Sequence, residues 1–553
     1  MRDHIFALTL IVLISLVLCY PGMGGMNGAT IATEDSDIWN TMWLTKQATR
    51  FVTGDGDALS ANSALGFPDD LNLWPHLGGV VWPALLAPLT NSAGPIYTQN
   101  FAGILALILT ALAAYLFFSE ISGDAKPALF AAICFGCGLY GMEEIRFGNP
   151  ELAAFAVVPL AAFATVRMFD RGGAFYIAFA GATAALAFSF NPYFGLTAFA
   201  FLVFAAFQAA IDSGVKVALG RALPALALGI TLSIPAAWPI IRSMESAAFD
   251  AAAAASVDPA SASWDLLEPF FFTRPYPRTI SYLLLLVALA GLYKAPKGYR
   301  FWLLAGGSFF LLALGPVVHI LGHSTGIPGP AAILGAFPGG WRVRFPYRFA
   351  IGFHLCLGTA TAINLRRFLE SADEIGFPHA LVGRIFVAIA AIATLVAVLP
   401  NAARPVRSPE VYSVLTEHSE AGAVLELPVT RDFYTNSRWL FHQSRHGRPI
   451  LGGQPLPDLP NPFDRSYFGV NTLLDVLLKP MEDLSIYQFK SMPDPALDVE
   501  SMTEKGIAFA VVHRRVPGAD IINDLCLGAF GEPVYSDETE SLYRVGPNAK
   551  TGP

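Results

Sequence analysis

Charge is scarce in this 553-residue sequence: 14% of its residues are Asp, Glu, Lys or Arg, against roughly 25% in ordinary soluble domains. Cysteine is scarcer still. The five cysteines are scattered. Their one close pair, Cys134 and Cys137 in "LFAAICFGCGLYGM", sits in an apolar run, where thiols behave as small hydrophobes. The net charge is −8, with no Lys/Arg block and no basic tail, so nothing points to a nucleic-acid partner. GxGxxG and GxxxxGK[ST] are both missing, which argues against ATP or a soluble nucleotide-sugar as donor. No His cluster has zinc spacing; His442 and His446 stand four apart in the turn-rich "FHQSRHGRP" and read as surface or hydrogen-bonded histidines. No internal repeat is evident.

What is abundant is apolar. Hydrophobic residues make up 54% of the chain and the mean hydropathy is +0.50, the composition of a membrane protein. The first run, "IFALTLIVLISLVLCY", follows Met1-Arg2-Asp3-His4 as a signal peptide would. It extends to Tyr20, however, and "PGMGGMNGA" is a poor cleavage pattern, so it reads as an uncleaved first helix. Further spans begin near Ile104, Leu129, Leu152, Ala174, Gly195, Leu223, Ile280, Phe301, Phe349 and Ile385, each long enough for the ~20 residues a bilayer helix needs. That makes about eleven spans.

Basic turns alternate along the chain: Lys126, then "VRMFDRGG", "SGVKVALGR", "YKAPKGYR" and "LRRFLESADE". Positive-inside bias then makes the N-terminus cytoplasmic and everything after Pro400 external. The fold expected is an α-helical polytopic membrane domain over residues 1–400, with a long first external loop at about 23–97, and a C-terminal extracytoplasmic α/β domain over 401–553. The tail is more charged, is interrupted by "PLPDLPNPF", and contains strand-like runs "AGAVLELPV" and "GIAFAVVHRR". "SPEVYSVLTEHS" predicts a helix with Ser408 as N-cap and Pro409 at its first position.

Glu34, Asp35 and Asp37 crowd into "ATEDSDIWNTMW" in the first external loop. "GDGD" and "PDD" farther on are turn chemistry. Asp37 differs, because Ile38, Trp39, Trp43 and Leu44 follow it in an amphipathic pattern suited to a helix at the membrane surface with Trp at headgroup depth. Such a helix holds an acid where a lipid-borne substrate can reach it. Several Arg lie on the external side, where they have no topogenic role: Arg146, Arg242, Arg274 and Arg278 in "FFFTRPYPRT", and Arg342, Arg344 and Arg348 in "GGWRVRFPYRFA". Arg at an apolar surface is costly unless paired, and it grips phosphate bidentately as Lys cannot. The structural alternative is snorkelling at helix ends. The two Arg–aromatic clusters together favour a phosphate pocket.

The segments "DSDIWNTMW", "RFGNPELAAFAVVPLAA", "NPYFGL", "RVRFPYRFAIGF" and the tail's "GAVLELPV", "GRPILGG", "GIAFAVVHRR" and "PVYSDETESLYRV" resemble the GT-C superfamily of polytopic membrane glycosyltransferases, in particular bacterial members that decorate cell-wall polymers. The resemblance spans nearly the whole chain through short, degenerate motifs. It implies a bacterial plasma (inner) membrane setting, an external active site, a polyprenyl-phosphate sugar donor, and a glycan, lipid or protein acceptor. It also implies a first-loop acid as base, falling on Asp37 with Asp35 as competitor. A second-loop acid falls on Glu143 or Glu144, and the donor-phosphate Arg on Arg344 or Arg348. In place of the family's commoner "GH" this sequence has "GNPE", with Asn149 and Glu151.

The residue chemistry agrees. Transfer to a hydroxyl needs a base, which a positioned carboxylate supplies, and a stabilised leaving phosphate, which Arg supplies without a metal. The expected site is Asp37, Asp35 and Glu144 for chemistry, with Arg146, Arg274, Arg278, Arg342, Arg344 and Arg348 for substrate. The sequence specifies no cofactor, and Mg²⁺ or Mn²⁺ would suit the first-loop acids. Two other classes fit the composition. A lipid or small-molecule transporter would place its polar residues at mid-membrane, and a non-catalytic scaffold would need neither the acids nor the Arg clusters.

Overall fold

The computed structural model describes residues 2–23, 25–33, 36–65, 72–74, 79, 81–243, 262–267, 282–292, 297–336, 345–398, 403–430, 432–452, 471–479, 481 and 495–546. Asp35, Arg274, Arg278, Arg342 and Arg344 lie outside them. Where they are described, the apolar segments are helical. The first is α1 (Arg2–Met23), and the first loop adds α2 (Ile38–Val52), α3 (Asp57–Ser60) and α4 (Val81–Ala93). Then come α5 (Pro95–Ser122), α6 (Ala125–Gly136) with α7 (Leu139–Arg146), and α8 (Pro150–Ala153) with α9 (Val157–Arg171). The remainder are α10 (Ala174–Phe190), α11 (Pro192–Ser213), α12 (Val215–Ser243), α13 (Tyr282–Ala290), α14 (Lys297–Ala313), α15 (Ala350–Glu374) and α16 (His379–Val398). Among the described residues, seven helical stretches are long and apolar enough to cross a bilayer. The apolar helix α10 is shorter, at 17 residues.

Local sequence sets the breaks. Gly123 takes the left-handed conformation (φ 67°) that ends α5, as glycine does without steric penalty. Asp124 then caps α6 by accepting from the Lys126 amide at 3.0 Å. Asn191 ends α10 and starts α11, accepting from the Tyr193 amide at 2.9 Å, with Pro192 at the first position. At one end of the bundle Asp3 meets Lys126 (3.6 Å), Asp124 meets His379 (3.0 Å), and Arg366 donates to the Ser122 carbonyl (2.6 Å). The first loop and the tail lie at the other end, joined by an antiparallel pair of short strands, β1 (Ala29–Thr30) and β4 (Arg404–Pro405). A hairpin, β2 (Val317–Ile320) with β3 (His323–Pro328), follows α14.

The tail carries a five-stranded sheet in the order β6-β5-β7-β9-β8, formed by β5 (Ala423–Leu427), β6 (Ile450–Leu451), β7 (Ile507–His513), β8 (Tyr535–Ser536) and β9 (Glu540–Arg544). The β6-β5-β7 part is parallel and the β7-β9-β8 part antiparallel. Side chains alternate across a strand, so β5 sends Ala423, Leu425 and Leu427 into one core with Ile522 and Cys526. It sends Val424 into a second core with Leu440 and Phe509. That second core also holds Trp43, Leu59, Leu65 and Leu73 of the first loop. The tail helices α17 (Val411–Glu417) and α18 (Phe433–His446) lie on this face.

Two local expectations change. The helix in "SPEVYSVLTEHS" begins at Val411, with Glu410 rather than Ser408 as its N-cap. The tryptophans of α2 do not face lipid headgroups: Trp43 is fully buried and donates from Nε1 to Gln443 Oε1 at 2.8 Å, and Trp39 packs on Phe441 with ring centroids 5.4 Å apart. The amphipathic face was legible in the sequence, but its partner is the tail, more than 390 positions away. An apolar stripe does not say what it will bury against.

Candidate active site

Asp37 stands at the N-terminus of α2, an end that favours negative charge. The loop between α7 and α8 presses against it. The Asp37 amide donates to the Phe147 carbonyl (3.0 Å), and Gly148, at φ +85°, comes so close that an added Cβ would lie 2.4 Å from the Ile38 nitrogen. Only glycine allows both that approach and that backbone. Gln99 fixes the same loop by donating to the Gly148 carbonyl at 2.6 Å. Asn149 then donates from Nδ2 to Asp37 Oδ2 at 2.9 Å and accepts at Oδ1 from Thr41 Oγ1 at 3.1 Å. The "GNPE" segment thus positions the first-loop acid with an amide.

Two residues farther, Glu151 lies in the first turn of α8. Asp37, Glu144 and Arg348 are all near enough for their charges to act on it. Glu151 lines a narrow cavity of about 50 Å³ with Thr41, Thr45, Trp82 and Gln99. Glu144 is fully buried, and its charge acts on Arg348 as well. Arg348 sits among aromatic rings, its guanidinium carbon 4.4 Å from the Phe345 centroid, 5.0 Å from Tyr193 and 5.8 Å from Tyr347. The Phe345 amide donates to the Tyr193 hydroxyl at 2.8 Å, so "NPYFGL" and "RFPYRF" meet here. Stacked Arg keeps its charge and its planar donor fork.

Asp37, Glu144 and Arg348 are thus each close enough to Glu151 for their charges to act on it. Arg146 is ion-paired with Glu143 one helical turn away, and Glu144 is the second-loop acid whose charge reaches both Glu151 and Arg348. Glu151 and Tyr193 joined the site without having been assigned a role in it. The signals available for them were an acid directly after Asn-Pro at a helix start and an aromatic one residue after Asn-Pro at another. Asp and Glu oxygens suit Mg²⁺ or Mn²⁺, but among the described residues no group of three or more His, Cys, Asp or Glu is placed to hold a metal ion.

In the tail, His442 and His446 are not at the surface. Both stack on Tyr412, with centroids 4.4 and 5.6 Å away, and His446 Nδ1 accepts from the Arg448 amide at 3.2 Å. The Tyr412 hydroxyl donates to Glu426 Oε2 at 3.0 Å, and His513 Nε2 lies 2.9 Å from the same oxygen. Burial pushes His442 well below the usual histidine range and His446 down to about 3, and it raises Glu426.

No family model matches the sequence, and no curated protein matches it. Solved structures do match the fold. Arabinofuranosyltransferase AftD from Mycobacteria superposes with a TM-score of 0.52 at 14% identity, over 98% of this chain and 40% of that one. The present chain thus spans about two fifths of that protein's length. Weaker likenesses are the Archaeoglobus fulgidus oligosaccharyltransferase in its apo form (TM-score 0.47, 12% identity, 95% and 71% of the two chains) and ArnT from Cupriavidus metallidurans bound to undecaprenyl phosphate (0.41, 11%, 99% of each). With its apolar helices, its tail sheet and this likeness, the chain is a polytopic membrane protein with the fold of the GT-C superfamily.

Proposed function

We propose that this protein is a membrane glycosyltransferase that moves a sugar from a polyprenyl-phosphate donor to an extracytoplasmic glycan, lipid or protein acceptor. The observation that carries this reading is the gathering around Glu151 of Asp37, held by Asn149, and of Arg348 in its aromatic setting. In the reaction, an acceptor hydroxyl gives its proton to the Asp37 carboxylate as its oxygen attacks the anomeric carbon. The bond from that carbon to the phosphate oxygen breaks, and the leaving prenyl phosphate takes the electron pair. A carboxylate has several lone-pair sites, so one bond from Asn149 orients Asp37 without exhausting it. Arg348 supplies fixed positive charge where the leaving group gains negative charge. No step is routed through a metal.

The Lys/Arg turns support an N-terminus in the cytoplasm, with the first loop and tail outside a bacterial plasma membrane. Gathering of the Asp3, Lys126 and Arg366 contacts at the end opposite the tail agrees with that orientation. The test is transfer of labelled sugar from polyprenyl phosphate in membranes carrying equal amounts of protein. Asp37→Asn keeps the size and hydrogen bonding of the side chain while removing the base, and should lower turnover by roughly 10² to 10⁴. Normal turnover in Asp37→Asn, Asp35→Asn and the double variant would overturn a first-loop base.

A further inference from the structure

Away from Asp37 the described residues enclose a larger cleft, of about 490 Å³, between α2, the turn from α4 into α5, and the tail helices α17 and α18. That volume falls within the range of small-ligand pockets, about 300–1,000 Å³. Lys46 and Arg445 line it with Ser408, Ser413, Thr416 and Phe441, and among the described residues its lining contains no Asp or Glu. Lys46 follows Asp37 by nine residues, two and a half turns at 3.6 residues per turn, so it emerges on the opposite face of α2. This cleft is distinct from the cavity beside Glu151.

In a chain of net charge −8, two cations in a cleft whose described lining holds no acid are a local reversal of sign. Such a concavity concentrates anions. Arg50 nearby has its own partner, Asp55, at 2.5 Å. The Arg445 guanidinium lies 5.1 Å from the Phe441 ring centroid, so packing on an aromatic face helps to hold it. Lys46 donates to the Ser444 carbonyl, which engages one of the three ammonium donors. Burial first, and then the charges of Arg50 and Arg445, lower the Lys46 pKa. A bound anion would relieve that like-charge cost. The hydroxyls along the wall supply the hydrogen-bonding groups that sugars need, and Phe441 supplies an apolar face.

We propose that this cleft is an anion-binding subsite for a carboxylate- or phosphate-bearing saccharide acceptor, whose charge is taken by Lys46 and Arg445. The proposal rests on the glycosyltransferase reading above and adds the class of acceptor to it. Asp37 lies about 13 Å along the helix axis from Lys46, so the subsite would hold the acceptor chain at a point remote from the reacting hydroxyl.

Calorimetric titration of the full-length protein in phosphatidylcholine nanodiscs tests this, with trigalacturonate as the anionic probe and maltotriose as the neutral one. Trigalacturonate should bind about tenfold more tightly or better, with an advantage that shrinks as salt rises. The Lys46→Met/Arg445→Met double variant should lose that advantage, while Lys46→Arg keeps it and so separates loss of charge from loss of folding. Asp37→Asn should also keep it, because its defect is in turnover. Equal binding of the two probes to the wild type, or persistence of the advantage in the double variant, would overturn the subsite. So would an affinity for phosphatidylglycerol nanodiscs that depends on Lys46 and Arg445 with no preference between the saccharides, since the cleft would then be a lipid-headgroup site. A trigalacturonate preference without any sugar transfer would sink the catalytic reading and leave the subsite standing. Transfer without the preference would do the reverse.

Discussion

The side-chain amide of Asn149 donates to Asp37 across 2.9 Å, linking two residues 112 positions apart. Because Thr41 donates to the other end of that amide, the orientation of Asn149 is fixed and the carboxylate it serves stays on one rotamer. Asn149→Asp would place a second carboxylate against the first. A like charge disfavours ionisation and raises the Asp37 pKa, so the acid limb of the pH–rate profile should move to higher pH by about one unit or more. Asn149→Ala should instead lower turnover with little movement of that limb. An unchanged profile in Asn149→Asp would remove Asn149 from the site.

Arg348 offers a test of the donor side. Arg348→Ala should weaken donor binding as well as turnover, because its charge meets the phosphate in the ground state too. Arg348→Lys should recover little, since an ammonium lacks the planar fork and stacks poorly on Tyr193 and Phe345. Near-complete rescue by Lys would show that point charge alone is used there.

Trp43 should be the residue on which docking of the tail depends most. It is fully buried in a core built jointly with Leu440 and Phe509, and its Nε1 bonds Gln443. Trp43→Ala should cost about 3–5 kcal/mol, seen as a lower melting temperature and earlier protease cleavage between membrane domain and tail. A soluble fragment from Asn401 should still unfold cooperatively around the core of Leu425, Ile522 and Cys526, with added stability when the first-loop segment is supplied in trans.

The buried histidines predict an acid limb of stability for the tail. His442 and His446 have folded pKa values below the 6.5 of an exposed histidine, about 3 for His446. The unfolded chain therefore binds more protons than the folded one once pH falls below about 6.5. Stability contributed by these groups is present above that pH and is lost progressively toward pH 3, at up to about 1.4 kcal/mol per pH unit for each. Glu426, whose pKa is raised, acts in the opposite sense over the carboxylate range. Denaturation midpoints from pH 7 to pH 5 should fall, and a His442→Phe/His446→Phe variant should flatten the slope.

Much of this was legible in the sequence because it is local or periodic. The apolar runs announced the helices, and the strand-like runs around Val424 and Val511 announced β5 and β7. Asp37 stood out by what followed it. The sequence could not show that the Trp39–Trp43 face would be covered by α18, because pairing across that separation leaves no periodic mark. For the same reason "GNPE" suggested a departure from pattern rather than a clamp, and Tyr193 gave no hint of its place under Arg348. The turns around His442 and His446 suggest surface or hydrogen-bonded rings, and the second holds for His446, which accepts from the Arg448 amide. The sheet beneath buries both rings.

The partnership of Trp43 with Gln443 also has a consequence in time. The two residues are 400 positions apart, and ribosomes add roughly 5–20 residues per second, so about 20 to 80 seconds separate their synthesis. Through that interval the nascent membrane bundle carries the helix that begins beside Asp37 without the surface that covers it. Docking of that helix therefore waits until Gln443 has been made, and a chain interrupted before α18 would reach the membrane with its acid in place and the covering surface missing.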